Sequence, residues 1–339
     1  MTDASDKLDE FQLIKSIAAN RGLLPAHCLV DLGDDCFVFR LPGAHSALAV
    51  TTDLLVEDVH FSWRFITPWE LGRKSAAANL SDLAAMGATP LYAFVGLSLP
   101  RHTPLGVAQE FNRGLVEGLE AHGCALCGGD TTGGTAVSVS VTVMGTLDPA
   151  AILRRDRFLP GQALLVTGTL GDSAAGLHCL LSRGSRPSEE SPPLHHCLVK
   201  RHHLPEPRVR EGVWLAAQGV TAGMDLSDGL GSDLERVRED SAVGVEVREA
   251  SLPLSDELLR YCRETGTDPC RFAISGGEDY ELLVAVDEAL APDLAQRFNR
   301  QFPTVGLTVI GRVTADRQRV LVRPDGHREL LPGPGFAHF

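Results

Sequence analysis

Long apolar runs are missing from this 339-residue chain. None approaches the roughly 20 residues needed to cross a bilayer, so no membrane span is expected. Positive charge is scarce too. Lys and Arg number 31 against 44 Asp and Glu, a formal net charge of −13, which speaks against a general surface for nucleic acid or anionic lipid. Residues Met1–Asp6 have neither a basic start nor an apolar core. No export signal is therefore expected, a cytoplasmic location is, and the eight cysteines read as reduced thiols. Cys124 and Cys127 form a C-x-x-C. No second such pair and no nearby histidine pair completes a tetrahedral zinc site, so incidental thiols are the expectation.

Familiar phosphate-handling motifs are also absent. There is no G-x-x-x-x-G-K-S/T, no H-R-D with D-F-G, no G-x-S-x-G, and no twelve-residue calcium loop. A P-loop enzyme, a protein kinase and a serine hydrolase are all excluded on those grounds. Any nucleotide site here must be of another type.

The length exceeds what one core usually supports, so two domains are expected. Residues 8–19 have apolar positions at helical spacing. Strands are predicted over 36–41, 47–52, 92–99 and 137–146, and helices over 68–86 and 104–122, with Gly87 and Gly123 as stops. The texture changes at Pro149–Gly161, which suggests a boundary between domains 1–148 and 149–339. Beyond it, strands are predicted over 163–167, 272–274, 281–286, 308–313 and 319–322, alternating with helices over 173–181, 207–218, 255–263 and 289–299. Both halves are mixed α/β. Ser182–Pro193 reads as an exposed loop, and the histidines of His195–His203 read as surface or connector residues. Arg73 and Lys74, on the Ala-rich helix, read as solvated.

What is present is a set of six acidic segments. An apolar stretch leads each time into small residues carrying one or two carboxylates: Gly33–Asp35, Thr51–Asp53, Asn79–Asp82, Gly128–Thr132, Asp225–Gly229 and Ser275–Asp279. Any one alone is more often a cap or turn, because Asp, Ser and Gly satisfy free backbone N–H groups. Six together suggest close approach to a ligand, with cations between the acids. Mg²⁺ fits best, since it takes hard oxygen ligands and pairs carboxylates with phosphate; the hydroxyls of Thr51, Thr52 and Ser227 suit the same set.

In order and spacing, these segments resemble the thiamine-monophosphate kinase family. The resemblance rests on Gly33-Asp34-Asp35, Thr52-Asp53 with His60-Phe61, NLSDLAAMG at 79–87, GGDTT at 128–132, DLSDGL at 225–230, SGGEDYEL at 275–282 and the terminal Gly335–Phe339. It runs from about residue 10 to the last residue. The wider ATP-binding group includes aminoimidazole ribonucleotide synthetase, selenophosphate synthetase and a hydrogenase-maturation factor.

The resemblance implies two α/β domains, the N-terminal sheet pairing across a homodimer into a barrel and the C-terminal sheet covered by helices. It implies transfer of the γ-phosphate of ATP to thiamine phosphate with several Mg²⁺ ions. Carried over, Asp35, Thr51, Thr52, Asp53, Asp82, Asp130, Asp225 and Asp228 would be metal ligands. Gly129, Asp130, Arg155 and Ser227 would contact ATP, and His60, Glu278 and Phe336 the thiamine end. Two departures stand out. The arginine motif offers both Arg154 and Arg155, with the spacing to Pro160 favouring Arg155, and the terminal aromatic is Phe336 rather than Trp or Tyr.

The acceptor explains the emphasis on metal ligands. A phosphate monoester has a second pKa of about 6 and is already largely ionised at neutral pH, so no catalytic base is expected. The difficulty is bringing two anions together. Another enzyme of the group, a silent nucleotide-binding subunit and a metal-dependent phosphatase are the rivals. The absence of a cysteine in Ser5–Gly22 and at the C-terminus, and the acids kept in all six segments, speak against the first two.

Overall fold

The computed structural model describes Leu13, Ser16, Ile17, Leu24 and residues 26–332. Leu13, Ser16 and Ile17 are helical; the rest of the predicted helix over 8–19, and the terminal segment with Phe336, lie outside the described residues. Thirteen strands and nine α-helices are described.

The first sheet has six strands in the order β1 (Cys28–Val30), β2 (Phe37–Phe39), β3 (Ala47–Val56), β6 (Ser138–Leu147), β4 (Thr89–Pro100) and β5 (Ala125–Gly134). Its central strand β6 shows why it forms: Val139, Val141 and Val143 alternate with Ser and Thr, and all three valines are fully buried. β3 pairs with β6 along its whole length, whereas β4 and β5 run parallel.

The inner face of this sheet is covered by α1 (Pro68–Ala85). Thr67 opens the helix with a reciprocal capping box: its hydroxyl accepts from the Glu70 N–H, and Glu70 accepts from the Thr67 N–H. Gly87, in the left-handed conformation, ends it. The alanines of α1 allow packing on every side, against β3, β6, α2 (Leu105–Glu120), α5 (Val209–Ala217) and β8 (Ala222–Leu226). α1 is thus shared by both halves of the chain.

The second sheet has seven strands in the order β13 (Arg328–Leu330), β12 (Arg319–Val322), β9 (Gly244–Arg248), β11 (Leu307–Thr314), β7 (Gln162–Thr167), β10 (Glu281–Asp287) and β8. It is antiparallel except where β12 runs beside β9. One core joins the first sheet, α1 and one side of the second sheet; another lies on the opposite side, with residues of α6 (Leu230–Asp240) and α8 (Pro269–Ser275). A third joins α3 (Asp172–Arg183), α4 (Pro193–His203) and α7 (Asp256–Thr265). The mixed α/β class expected from the sequence is the one observed.

Three local expectations are corrected. Residues 272–274 are helical, not a strand, because the Asp268 side chain accepts from the Cys270 N–H and Pro269 sets the first turn of α8. The His195–His203 stretch is not a connector but part of α4, and only part of it is surface: His196 is exposed, whereas His202 and His203 are 6% and 2% exposed. Lys74 is not solvated; it has no exposed surface.

Candidate active site

Three of the six acidic segments are not turns. Thr51–Asp53 lies inside β3, Asn79–Asp82 inside α1 and Gly128–Thr132 inside β5. Strand and helix periodicities do the aiming instead. On β3, Thr51 and Asp53 share a face with Ala49 and Leu55, the buried side toward α1. On α1, Ser75, Asn79 and Asp82 follow one another at i, i+4 and i+7.

These two faces meet. The Thr51 hydroxyl donates to Asp82 Oδ2 at 2.7 Å, and the Asn79 side chain accepts from the Asp53 N–H at 3.0 Å. Ser81, on the same helix, donates to Asp225 Oδ2 at 2.7 Å across 144 residues of sequence. Asp225 sits at the buried end of β8. Asp35 comes from the segment before β2 with its side chain 3% exposed. Ligand oxygens of Asp35, Asp82 and Asp225 all lie within 4.8 Å of one another.

Mutual repulsion and burial mark this cluster electrostatically. Burial, then the charge of Asp35, pushes the Asp225 carboxyl up to about 7. Burial, then Asp228 and Asp35, brings Asp53 to about 6. Asp82 is raised well above the carboxylate range by burial and by Asp53, Asp225 and Asp35. Asp228 is thereby tied to the same field, although its own side chain pairs with Arg236.

The residues fit a hard divalent cation. Among the described residues the buried Oδ2 of Asp35 has no hydrogen-bond partner, and three carboxylates crowd a space too small for their charges. An oxygen-only donor set of this kind suits Mg²⁺ and not zinc.

Arg155 stands beside the cluster, 8% exposed. Its guanidinium pairs with Asp35 and donates to the Gly33 carbonyl at 3.1 Å. Arg154 instead turns to Asp156 at 2.5 Å. Of the two arginines, the structure brings only Arg155 to the carboxylates.

Other expected residues lie elsewhere. The Thr52 hydroxyl points to the opposite face of β3, where it donates to the Val141 carbonyl at 3.1 Å. Gly129 and Asp130 are exposed on β5, the strand at the sheet edge. A Cβ at Gly129 would come 1.9 Å from the Val95 carbonyl oxygen, so no other residue fits there without moving β4. His60 follows β3, its Nδ1 accepting from the Val56 N–H at 3.0 Å. Ser227 lies just after β8, and its carbonyl accepts from the Glu278 N–H at 2.7 Å. Gly277 makes this approach possible, since a Cβ there would lie 2.7 Å from the Ser227 carbonyl oxygen.

The SGGEDYEL segment divides its acids between site and scaffold. Glu278 remains partly exposed beside the loop after β8. Asp279 accepts from the Gly171 N–H at 2.7 Å and the Ser173 N–H at 3.3 Å, satisfying the start of α3. Glu281 is buried against Arg208, with N–O distances of 2.6 and 2.5 Å. Sequence reasoning missed Lys74, whose Nζ lies 2.7 Å from Glu278 Oε1. A clue was present: Lys74 and Ser81 are seven residues apart, on one stripe of an Ala-rich helix.

Residues 33–147 match the family described as AIR synthase related protein, N-terminal domain, and residues 160–323 its C-terminal domain. A thiamine-monophosphate kinase of Haemophilus influenzae is 35% identical over 336 residues, 98% of each chain. One from Escherichia coli is 37% identical over 308 residues, 91% of each chain. A solved structure described as AaThiL complexed with AMPPCP and TMP superposes with a TM-score of 0.84 at 31% identity, covering 100% of this chain and 99% of that one. The acidic motifs, the fold that gathers them and these near-full-length likenesses agree: the chain belongs to the thiamine-monophosphate kinase family.

Proposed function

We propose that the chain transfers the γ-phosphoryl group of ATP to thiamine phosphate, giving thiamine diphosphate and ADP. The observation that carries this reading is the buried convergence of Asp35, Asp82 and Asp225, with Asp53 and Arg155 beside it, in a chain of this family. Atoms balance simply. An oxygen of the acceptor phosphate attacks the γ-phosphorus, the bond from that phosphorus to the bridging oxygen breaks, and ADP leaves with the electron pair.

Asp35, Asp82 and Asp225 would hold Mg²⁺, with Thr51, Asp53, Asp228 and Asp130 contributing as the substrates arrive, while the Thr52 hydroxyl faces away from them. Bound there, the metal supplies charge neutralisation for two anionic substrates and a template for in-line transfer. The chain's own residues do the rest. Arg155 adds a fixed cation for the triphosphate, and Gly129, Asp130 and Ser227 line its approach. Glu278 and His60, with Phe336, serve the organic end of the acceptor. The acceptor oxygen is already ionised at neutral pH, so none of these residues needs to remove a proton.

The division at residues 148/149 is proposed as the functional one, with the first part carrying ATP, metal and dimer contacts. Support for a homodimer comes from the outer face of the first sheet, where Phe37, Leu54, Tyr92 and Phe94 are 37%, 55%, 51% and 41% exposed. A second copy covering that face would form the barrel. No described helix is long and apolar enough to cross a membrane, and use of ATP supports a cytoplasmic site of action.

The test is product analysis after incubation with ATP, thiamine phosphate and Mg²⁺. Thiamine diphosphate with ADP is expected; free thiamine with phosphate, or no turnover, would overturn the reading. Asp53→Asn and Asp130→Asn should each cut turnover by orders of magnitude while leaving the protein folded. Near-normal activity of either at saturating Mg²⁺ would remove that residue from the metal set.

A further inference from the structure

Lysine is seldom enclosed completely, because removing its ammonium from water is costly unless a partner compensates. Lys74 is 0% exposed, and its partner is Glu278 at 2.7 Å. The other oxygen of that carboxylate, Oε2, lies 3.2 Å from Nδ1 of His202, which also stands 3.1 Å from the Ser173 hydroxyl. Glu278 is fixed along its backbone as well: it has φ 68, and its N–H donates to Ser227. The Glu278 side chain keeps 26% of its surface exposed. One carboxylate is therefore gripped from behind by α1 and α4 and open in front.

Those contacts change what Glu278 can do. A free glutamate would act as a counter-charge to the thiazolium cation. This one already has its charge matched by Lys74. A carboxylate offers about four lone-pair sites, so two engaged oxygens can still accept further hydrogen bonds from a fixed direction. The amino group of the pyrimidine is the N–H donor that thiamine phosphate offers. Helix α1 also sets the spacing: Ser81, seven residues beyond Lys74, reaches Asp225, so roughly 10 Å of helix separates the carboxylate cluster from the Glu278 end.

We propose that Lys74 and His202 are positioning residues that hold the Glu278 carboxylate as an oriented hydrogen-bond acceptor for the aminopyrimidine, rather than a free counter-ion for the thiazolium. The proposal rests on the reading that Glu278 contacts thiamine phosphate, and the two can fail separately. The experiment is steady-state kinetics at varied thiamine phosphate and varied ATP for wild type, Glu278→Gln, His202→Leu, His202→Asn and Lys74→Met. Asn places an amide N–H near the position of Nδ1 and should restore what Leu loses.

Expected results are a KM for thiamine phosphate raised about tenfold or more in Glu278→Gln, His202→Leu and Lys74→Met, with the KM for ATP within about twofold and His202→Asn close to wild type. An acceptor analogue with oxygen in place of the pyrimidine amino group should bind wild type and His202→Leu alike. If Glu278→Gln leaves the KM for thiamine phosphate unchanged, the underlying reading falls. If Glu278→Gln raises it and His202→Leu does not, or Asn fails to rescue, positioning is overturned. Should Lys74→Met fail to fold, the Leu and Asn pair at residue 202 decides.

Discussion

Replacing Asp225 by Asn should make the metal-free protein more stable while abolishing its activity. In the folded chain the Asp225 carboxyl is pushed up to about 7 from an ordinary 3.8, first by burial and then by Asp35. Between those values the folded protein holds a proton that the unfolded chain has released. The associated stability is full below about pH 4 and is lost as pH rises through about 7. Above that pH the ionised group costs about 4 kcal/mol. Asn removes the charge and keeps an oxygen to accept from Ser81 Oγ. Its amide N–H groups need partners in a buried site, which costs about 1–3 kcal/mol. The net gain is about 2 kcal/mol at pH 8, a Tm rise of roughly 3–6 °C. The assay is thermal unfolding in chelator at pH 8 and pH 5.5. The two proteins should differ at the higher pH and converge or cross at the lower. Adding Mg²⁺ should raise the wild-type Tm and raise that of Asp225→Asn far less. A lower Tm for Asp225→Asn at pH 8, or a gap of the same size and sign at both pH values, would refute the account of crowded carboxylates waiting for a cation.

Three further outcomes are expected. Arg155→Met should lower kcat/KM for ATP by about 10- to 100-fold, because a charge-assisted contact to the triphosphate is lost; an unchanged value would remove Arg155 from the ATP site. Arg208→Met should destabilise the fold by about 3–5 kcal/mol in urea unfolding, since Glu281, 2% exposed, would be left as an unpaired buried charge. A loss below about 1 kcal/mol would show that other donors, such as the Thr167 hydroxyl, suffice to compensate Glu281. Phe94→Glu, on the outer face of the first sheet, should shift the protein to monomer in light scattering; an unchanged mass would move the dimer contact elsewhere.

Much of this molecule was legible along the chain, and the failures have a common cause. The alternation of β6 and the start and stop of α1 at Pro68 and Gly87 are local, so periodicity and turn chemistry located them. The segment 272–274 was misread because three apolar residues in a row suit a strand or a helix equally; the Asp268 cap decided it. His202 and Lys74 were misread for a different reason. A polar residue on a helix is solvated unless another element covers it, and the cover here comes from residues far away in sequence.

The sequence by itself determined the chemistry on offer: many carboxylates, few cations, no base or nucleophile motif, and a family resemblance that names the acceptor. Tertiary structure decided the assignment of roles among those acids. Three neighbours in one motif, Glu278, Asp279 and Glu281, became a partly open carboxylate paired with Lys74, a helix cap and a buried ion-pair partner. The physical reason is that a carboxylate's role depends on its exposure and on which donors reach it. Those donors, Lys74, Gly171 and Arg208, are brought close only when α1, α3 and the second sheet pack together.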